Sequence, residues 1–259
     1  DHFHLINIVD TDAIEELVKK ENIDYVYSVG SDIAMPSVSK VSKNLNLPCF
    51  VEYETARLCN TKNDLREHLG SDFEGNVKYQ KIEHIDDEII VPFPCMMKPE
   101  DAQGQRGVFK VGNADEFKQY FEKSMEHTRS KRLILEEYID GPEISVNVFR
   151  LNGKTLFSLI TDRDTWTNLP GGIIHKHIVP TKISNEEVKN RINDLVERTL
   201  DSLNINNGPA YFQIKIKDSK YPKLIEVTPR LDGCHMWNVI KHYCNVDLLN
   251  CSMLLLEAK

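Results

Sequence analysis

Apolar and polar residues along this chain follow two periods, one helical and one of two residues, and the change between them divides it. Residues 12–21 carry Ile14, Leu17 and Val18 on one helical face, with Asp10, Thr11 or Asp12 placed to cap the start. Residues 25–29 read as a short strand ending at Gly30-Ser31-Asp32, and residues 36–45 as a second helix with Val38, Val41 and Leu45 apolar. This order suggests a small parallel α/β unit. Its Gly-Ser-Asp turn follows the carboxyl end of a strand, where such folds bind ligands; a plain strand-to-helix connection fits the same residues.

Residues 57–69 read as a linker and a short helix capped near Asn60 or Thr61. Strands are predicted over 77–82, 95–98 and 108–111, then a helix over 114–125 and a strand over 133–137. Alternation over 144–150 and 155–161 predicts a hairpin turning at Asn152-Gly153. In residues 186–203, Val188, Ile192, Leu195, Val196, Leu200 and Leu203 form an apolar stripe. Another hairpin is predicted from 211–216 and 223–227, and helical patterns close the chain near 237–243 and 247–256. Beyond residue 70 the strands come in hairpins, so an α+β fold of two antiparallel sheets with helices is expected, after the small α/β lead-in.

Composition narrows the function classes. The chain has 259 residues and 41% hydrophobic content, enough for a substantial core. With 28% charged residues and a net charge of -8, it suits a soluble protein and argues against broad binding to nucleic acid or an anionic membrane. A local basic pocket for a phosphate remains compatible with that charge. The six cysteines form no C-x-x-C pair and lie mostly in apolar runs, which reads as reduced thiols in a cytoplasmic protein. There is no signal-peptide pattern and no apolar run long enough to span a bilayer. The first residue is Asp1 and not methionine, so a piece of a longer protein is expected.

Three segments carry candidate chemistry. In the first, Lys98-Pro99 ends an apolar strand, and a loop containing Gly104, Gln105, Arg106 and Gly107 leads to the next strand. A lysine at a strand end can meet a phosphate, and glycines let backbone N–H groups approach its oxygens. No G-K-[ST] precedes a helix, so this is not a Walker A loop; an ordinary hairpin loop fits equally well. In the second segment, Glu136-Glu137-Tyr138-Ile139-Asp140-Gly141-Pro142-Glu143 connects two strands and can offer backbone groups to a base edge and Glu143 to ribose hydroxyls. A turn with exposed acids is the plainer reading. In the third, alternation places Gln213 on one strand beside Glu226 and Thr228 on the next, an all-oxygen set of the kind Mg²⁺ prefers. The stretch Glu226-Val-Thr-Pro-Arg230 adds a guanidinium suited to a moving phosphate; a polar sheet face is the alternative.

Taken together and in order, these segments and the lead-in Asn60-Thr-Lys62-Asn-Asp-Leu-Arg66 resemble the ATP-grasp superfamily. The likeness is to the module in the carbamoyl phosphate synthetase large subunit and in amino-acid ligases, and covers roughly residues 55–250. The resemblance implies three parts: residues 1–58 as a pre-grasp α/β domain, 59–135 as a linker and first lobe with the glycine-rich loop, and 136–259 as a second lobe with the metal and phosphoryl-transfer site. It implies that Lys62 and Lys98 contact ATP phosphates and that the 104–107 loop covers them. Glu136, Glu137, Tyr138 and Ile139 then belong to the adenine hinge, and Glu143 to the ribose. Gln213, Glu226 and Thr228 become ligands of Mg²⁺ or Mn²⁺, and Arg230 the catalytic cation. The family pattern is E-x-N-x-R, and Thr228 stands where the asparagine is usual. The implied activity is ATP-dependent joining of a carboxylate to an amine or thiol through an acyl phosphate. Bicarbonate phosphorylation and a non-catalytic ATP-binding module are the alternatives. The implied partners are small molecules, with a homodimer or further domains compatible.

The polar stretch 161–172, with Arg163 and Trp166, reads as a long connection able to close on an acceptor substrate or simply to lie on the surface. His175 and His177 alternate on an expected strand, where packed or exposed histidines are the plainer reading than a metal site. Asp232, His235 and Trp237 follow Arg230 closely and either line an acceptor pocket or cap and pack a helix.

Overall fold

The structure is a computed structural model, and it describes residues 2–166 and 173–258. Helices α1 (Thr11–Glu21), α2 (Ala34–Asn44), α3 (Tyr53–Asn60) and α4 (Lys62–Leu69) come first. A four-stranded sheet follows, built from β1 (Tyr79–Ile82), β2 (Cys95–Pro99), β3 (Phe109–Val111) and β4 (Leu133–Glu137), with α5 (Ala114–Met125) before β4. The five-stranded sheet contains β5 (Glu143–Leu151), β6 (Lys154–Thr165), β7 (Ile174–Ile178), β8 (Gly208–Lys217) and β9 (Tyr221–Thr228). Helix α6 (Glu186–Ser202) joins β7 to β8, and α7 (Met236–Cys244) and α8 (Leu248–Glu257) close the fold. The spatial orders are β1-β4-β2-β3 and β7-β6-β5-β8-β9. Every strand pairing is antiparallel, as the hairpin pattern predicts.

Each sheet buries one face against a helix. In the small sheet, Cys95, Met97, Val111, Leu133 and Leu135 pack on Phe117 and Phe121 of α5. In the large sheet, Ile144, Val146, Phe212, Ile214 and Leu224 meet the apolar stripe of α6, including Val188, Ile192 and Leu195. Burying each such side chain favours the fold by ~1.5–3 kcal/mol, so these two layers fix the sheets independently of the site. The other face of the large sheet packs Phe149 and Phe157 against Met236, Ile240 and Leu248 of α7 and α8. No helix among the described residues is long and apolar enough to cross a membrane.

Three expectations change. Residues 25–29 form no strand, and none among the described residues precedes Tyr79. A strand exists through its hydrogen-bonded neighbour, and alternation alone cannot supply one. What stands in place of the predicted strand-and-helix unit is the helix pair α1 and α2 with extended connections. The short helix expected within residues 57–69 is α4, with Thr61 at its N-cap, but what precedes it is not a linker, because α3 runs to Asn60. Their inward Ala56, Cys59, Leu65 and Leu69 are buried, and packing of both short helices makes up for their weak local preference. Finally, β6 continues through Thr165, and Asp162 and Arg163 pair with Ile178 and His177 of β7. The polar stretch masked this strand because its inward positions are filled by charge. The remaining part of that expected loop, 167–172, lies outside the described residues.

Candidate active site

The two sheets meet at α4, and one side chain fastens them. Arg66 shares the inward face of α4 with Leu65 and Leu69 and is 1% exposed. Its Nε donates to Glu136 Oε1 on β4 at 2.8 Å, and its Nη1 to Asn76 Oδ1 at 3.1 Å. Its Nη2 donates to the Ile225 carbonyl on β9 at 3.0 Å. That carbonyl belongs to a β-bulge: Gln213 opposes Glu226 while Ile214 opposes Leu224, which leaves Ile225 unpaired in the ladder. Arg66 thus satisfies the group that the bulge orphans.

The charged residues expected at the site gather around this junction. Lys98 at the end of β2 donates to Glu136 Oε2 at 2.5 Å. Burial alone would raise the Glu136 carboxyl, but Arg66 and Lys98 outweigh it and hold the group at about 2. Glu136 therefore anchors the two cations. Lys62, the first residue of α4, donates to the Ala102 carbonyl at 2.7 Å. Burial lowers its pKa, and neighbouring Lys98 adds to that, against the pull of Glu226. Lys62, Arg66, Glu136, Ile225 and Glu226 line one cleft together with Asn60 and Gln103.

The remaining expected groups separate into two sets. Gln213 and Glu226 stand directly opposite each other on β8 and β9, with Thr228 opposite Tyr211. Burial and Asp32 raise the Glu226 carboxyl despite Lys62, Arg230 and Lys98. The Thr228 Oγ1 is buried without a hydrogen-bond partner among the described residues. A carboxylate beside an amide carbonyl oxygen and an unused hydroxyl is a donor set that fits a hard divalent cation. Around the connector, Glu143 is engaged by Arg163 Nη1 at 2.5 Å. Glu137 accepts from Lys217 Nζ at 3.2 Å. The Glu137 and Tyr138 amides donate to the carbonyls of Lys78 and Pro94, and Ile139 is buried. Lys110 stacks its ammonium 3.6 Å above the Tyr138 ring. At Gly141 a Cβ would come within 2.1 Å of the Ile216 carbonyl, so only glycine lets the connector lie on β8.

The glycine loop is held in place by its own turn. Gly104, Gln105 and Gly107 all have positive φ, and a Cβ at Gly107 would meet Pro99 at 2.8 Å. Arg106 Nε donates to the Gln103 carbonyl at 3.1 Å, and Gln103 Nε2 to Asn60 Oδ1 at 2.8 Å. With Lys62 bound to Ala102 as well, this loop closes the cleft to about 10 Å³. A larger cavity, about 270 Å³, lies elsewhere, beside α6 and the β8–β9 turn. It holds none of the convergent groups, so cavity size is a poor guide to chemistry here.

Arg230 brings in a residue from far along the chain. Its Nε donates to Asp32, and its Nη1 to the Leu231 carbonyl at 2.8 Å. The guanidinium lies 5.4 Å from the Tyr211 ring. Asp32 reaches it because Gly30 and Gly233 touch backbone to backbone; a Cβ at Gly30 would stand 3.0 Å from the Gly233 Cα. The Gly-Ser-Asp turn read as a candidate ligand site thus belongs to this site without the strand expected before it. Arg66 and Asp32 are the two members that sequence reasoning did not assign. For Arg66 the available signal was an arginine on the apolar face of a helix.

Two antiparallel sheets thus meet over paired lysines on one side and an acid–arginine pair on the other, the two-lobed arrangement of an ATP-grasp fold. Residues 91–237 match the ATP-grasp domain family, and the chain belongs to it. It is 32% identical over 143 residues to the D-alanine–D-alanine ligase of Coprothermobacter proteolyticus, covering 52% of this chain and 44% of that one. To the carbamoyl-phosphate synthase of Methanobrevibacter smithii it is 26% identical over 235 residues, covering 86% and 61%. The fold matches the crystal structure of the L-amino acid ligase from Bacillus licheniformis with a TM-score of 0.80 at 21% identity, over 94% of this chain and 58% of that one. The matches span only 44% and 61% of the length of these two curated relatives.

Proposed function

We propose that this chain is the nucleotide-binding and phosphoryl-transfer part of an ATP-dependent carboxylate ligase. In the first step a carboxylate oxygen attacks the terminal phosphorus of ATP, giving an acyl phosphate and ADP. In the second an amine, or less often a thiol, attacks the acyl carbon, and inorganic phosphate and a proton leave. The observation that carries this reading is the gathering of Lys62, Lys98, Glu226 and Arg230 at one junction between the sheets.

Lys62 and Lys98 would bind the phosphates, exchanging the Ala102 carbonyl and part of the Glu136 carboxylate for phosphate oxygens. Gln213, Glu226 and Thr228 would hold Mg²⁺ or Mn²⁺, which screens the phosphate charge. Arg230, aimed by Asp32, would neutralise charge on the phosphoryl group in transit. Positioning and charge neutralisation are sufficient for this chemistry, and no protein nucleophile is required. Nucleotide entry requires the 101–107 segment to lift, because ligand sites usually need roughly 300–1,000 Å³.

A phosphate-release screen over paired carboxylates and amines tests the reading. Turnover should rise when the right pair is present, and ATP binding without stimulation by any pair across a broad panel would leave only a binding module. Glu226→Gln and Arg230→Ala should lose turnover while retaining nucleotide binding; unchanged turnover in both removes the site assignment. The long match to a carbamoyl-phosphate synthase favours bicarbonate as a second candidate carboxylate. Bicarbonate-dependent ATP hydrolysis without any added carboxylic acid would select it.

A further inference from the structure

We propose that His177, Asp232 and Cys234 form a binding site for a borderline-soft divalent cation of the Zn²⁺ or Co²⁺ kind, separate from the oxygen ligands of the phosphoryl-transfer site. One ligand atom from each residue lies within 4.8 Å of the other two. His177 Nε2 and Asp232 Oδ2 stand 3.4 Å apart. Ligands on a tetrahedral zinc ion, with bonds of about 2.0–2.3 Å, lie roughly 3.3–3.8 Å from one another. Side-chain rotation alone can bring the three atoms to that spacing.

The state of these atoms is the independent observation. His177 Nε2 and Asp232 Oδ2 are both buried and both lack a hydrogen-bond partner among the described residues. The other ends of the same side chains are engaged. His177 Nδ1 lies 3.3 Å from Thr161 Oγ1, and Asp232 Oδ1 accepts from the Cys234 amide at 2.8 Å. This is the arrangement of metal ligands oriented from behind by second partners. Two unused polar atoms facing each other are costly when buried, and one cation satisfies both.

Charge and access agree. The nearby guanidiniums do not claim Asp232, because Arg163 is bound to Glu143 and Arg230 to Asp32. Asp232 and a Cys234 thiolate together balance a divalent ion. Cys234 is exposed, which gives the ion a route in. A nitrogen, an oxygen and a sulfur ligand favour Zn²⁺ or Co²⁺ over Mg²⁺, which prefers oxygen. Three protein ligands leave a tetrahedral position for water or a donor atom of a small molecule. The bound ion would also tie β7 to the loop that follows Arg230.

The test is a Co²⁺ titration of the purified chain in excess Mg²⁺, which occupies the oxygen ligands Gln213, Glu226 and Thr228. The signal is the thiolate-to-cobalt charge-transfer absorption. One equivalent per chain should saturate the band, Zn²⁺ should displace it, and Cys234→Ser should abolish it. His177→Ala and Asp232→Asn should weaken binding by more than about tenfold. Circular dichroism confirms that each variant is folded, and Cys234→Ser, at an exposed position, keeps the test valid if the buried variants are not. Absence of a saturable band, or a band that survives Cys234→Ser, overturns the proposal. Neither result bears on the ligase reading, which is measured by phosphate release.

Discussion

Replacing Arg66 tests how the two sheets are joined. Arg66→Met keeps most of the apolar stem but removes the charge and three hydrogen bonds, to Glu136, Asn76 and the Ile225 carbonyl. Breaking a buried ion pair from one side costs ~3–5 kcal/mol. Lys98 still pairs with Glu136, so the lower end applies, about 3 kcal/mol. In a chain of this size that lowers Tm by roughly 6–12 °C. A second measure comes from pH. Moving a carboxyl from its ordinary 4.5 to about 2 contributes ~3 kcal/mol at neutral pH. Because the folded pKa is depressed, that contribution is complete above about pH 4.5 and disappears as pH falls toward 2. Denaturant unfolding of wild type, Arg66→Met, Glu136→Gln and the double variant forms a cycle. The coupling should exceed ~1 kcal/mol at pH 7 and shrink between pH 4.5 and 3. A coupling near zero, or one independent of pH, refutes the claim that Arg66 and Glu136 act as one unit.

Other outcomes follow from the same geometry. Glu226 is held above its ordinary pKa, so its ionised form weakens the fold once pH exceeds the normal carboxyl value. Glu226→Gln should therefore raise the Tm of the nucleotide-free protein at pH 7 while turnover is lost, as a thermal melt and a phosphate assay would record. Lys62 has a lowered pKa, so nucleotide affinity should decline on the alkaline side earlier than an ordinary lysine would allow, measured by calorimetry across pH. Gly107→Ala combines a positive φ with a 2.8 Å clash against Pro99 and should cost ~1–3 kcal/mol. Gly104→Ala, with open space around it, should cost less. Asp32→Asn leaves Arg230 without its carboxylate and should reduce turnover more than ATP affinity in steady-state assays.

The sequence spelled out those elements whose apolar residues repeat against a single layer. The stripe on α6 is of this kind, since one buried face writes one period, whereas the β5–β6 hairpin was marked by its Asn152-Gly153 turn. It was silent where polar residues turn inward. Arg163 and Asp162 extend β6, yet their charges read as a loop, because the partners that make them tolerable, Glu143 and Thr181, are distant in sequence. Glu136 shows the same difficulty in the site. Its place after a strand fits a hinge, but only the folded chain reveals Arg66 and Lys98 closing on it. Asp32 lies 198 positions before Arg230, and no local pattern links them.

The contact of Gly30 with Gly233 has a consequence for how binding preference can diversify. Where two backbones touch, a side chain at either position requires the facing segment to give by a few tenths of an ångström, so this spot leaves little room for tuning by substitution. Variation must fall on the residues beyond it, and because Asp32 is committed to Arg230, Ser31 is the nearest position on that segment open to exchange.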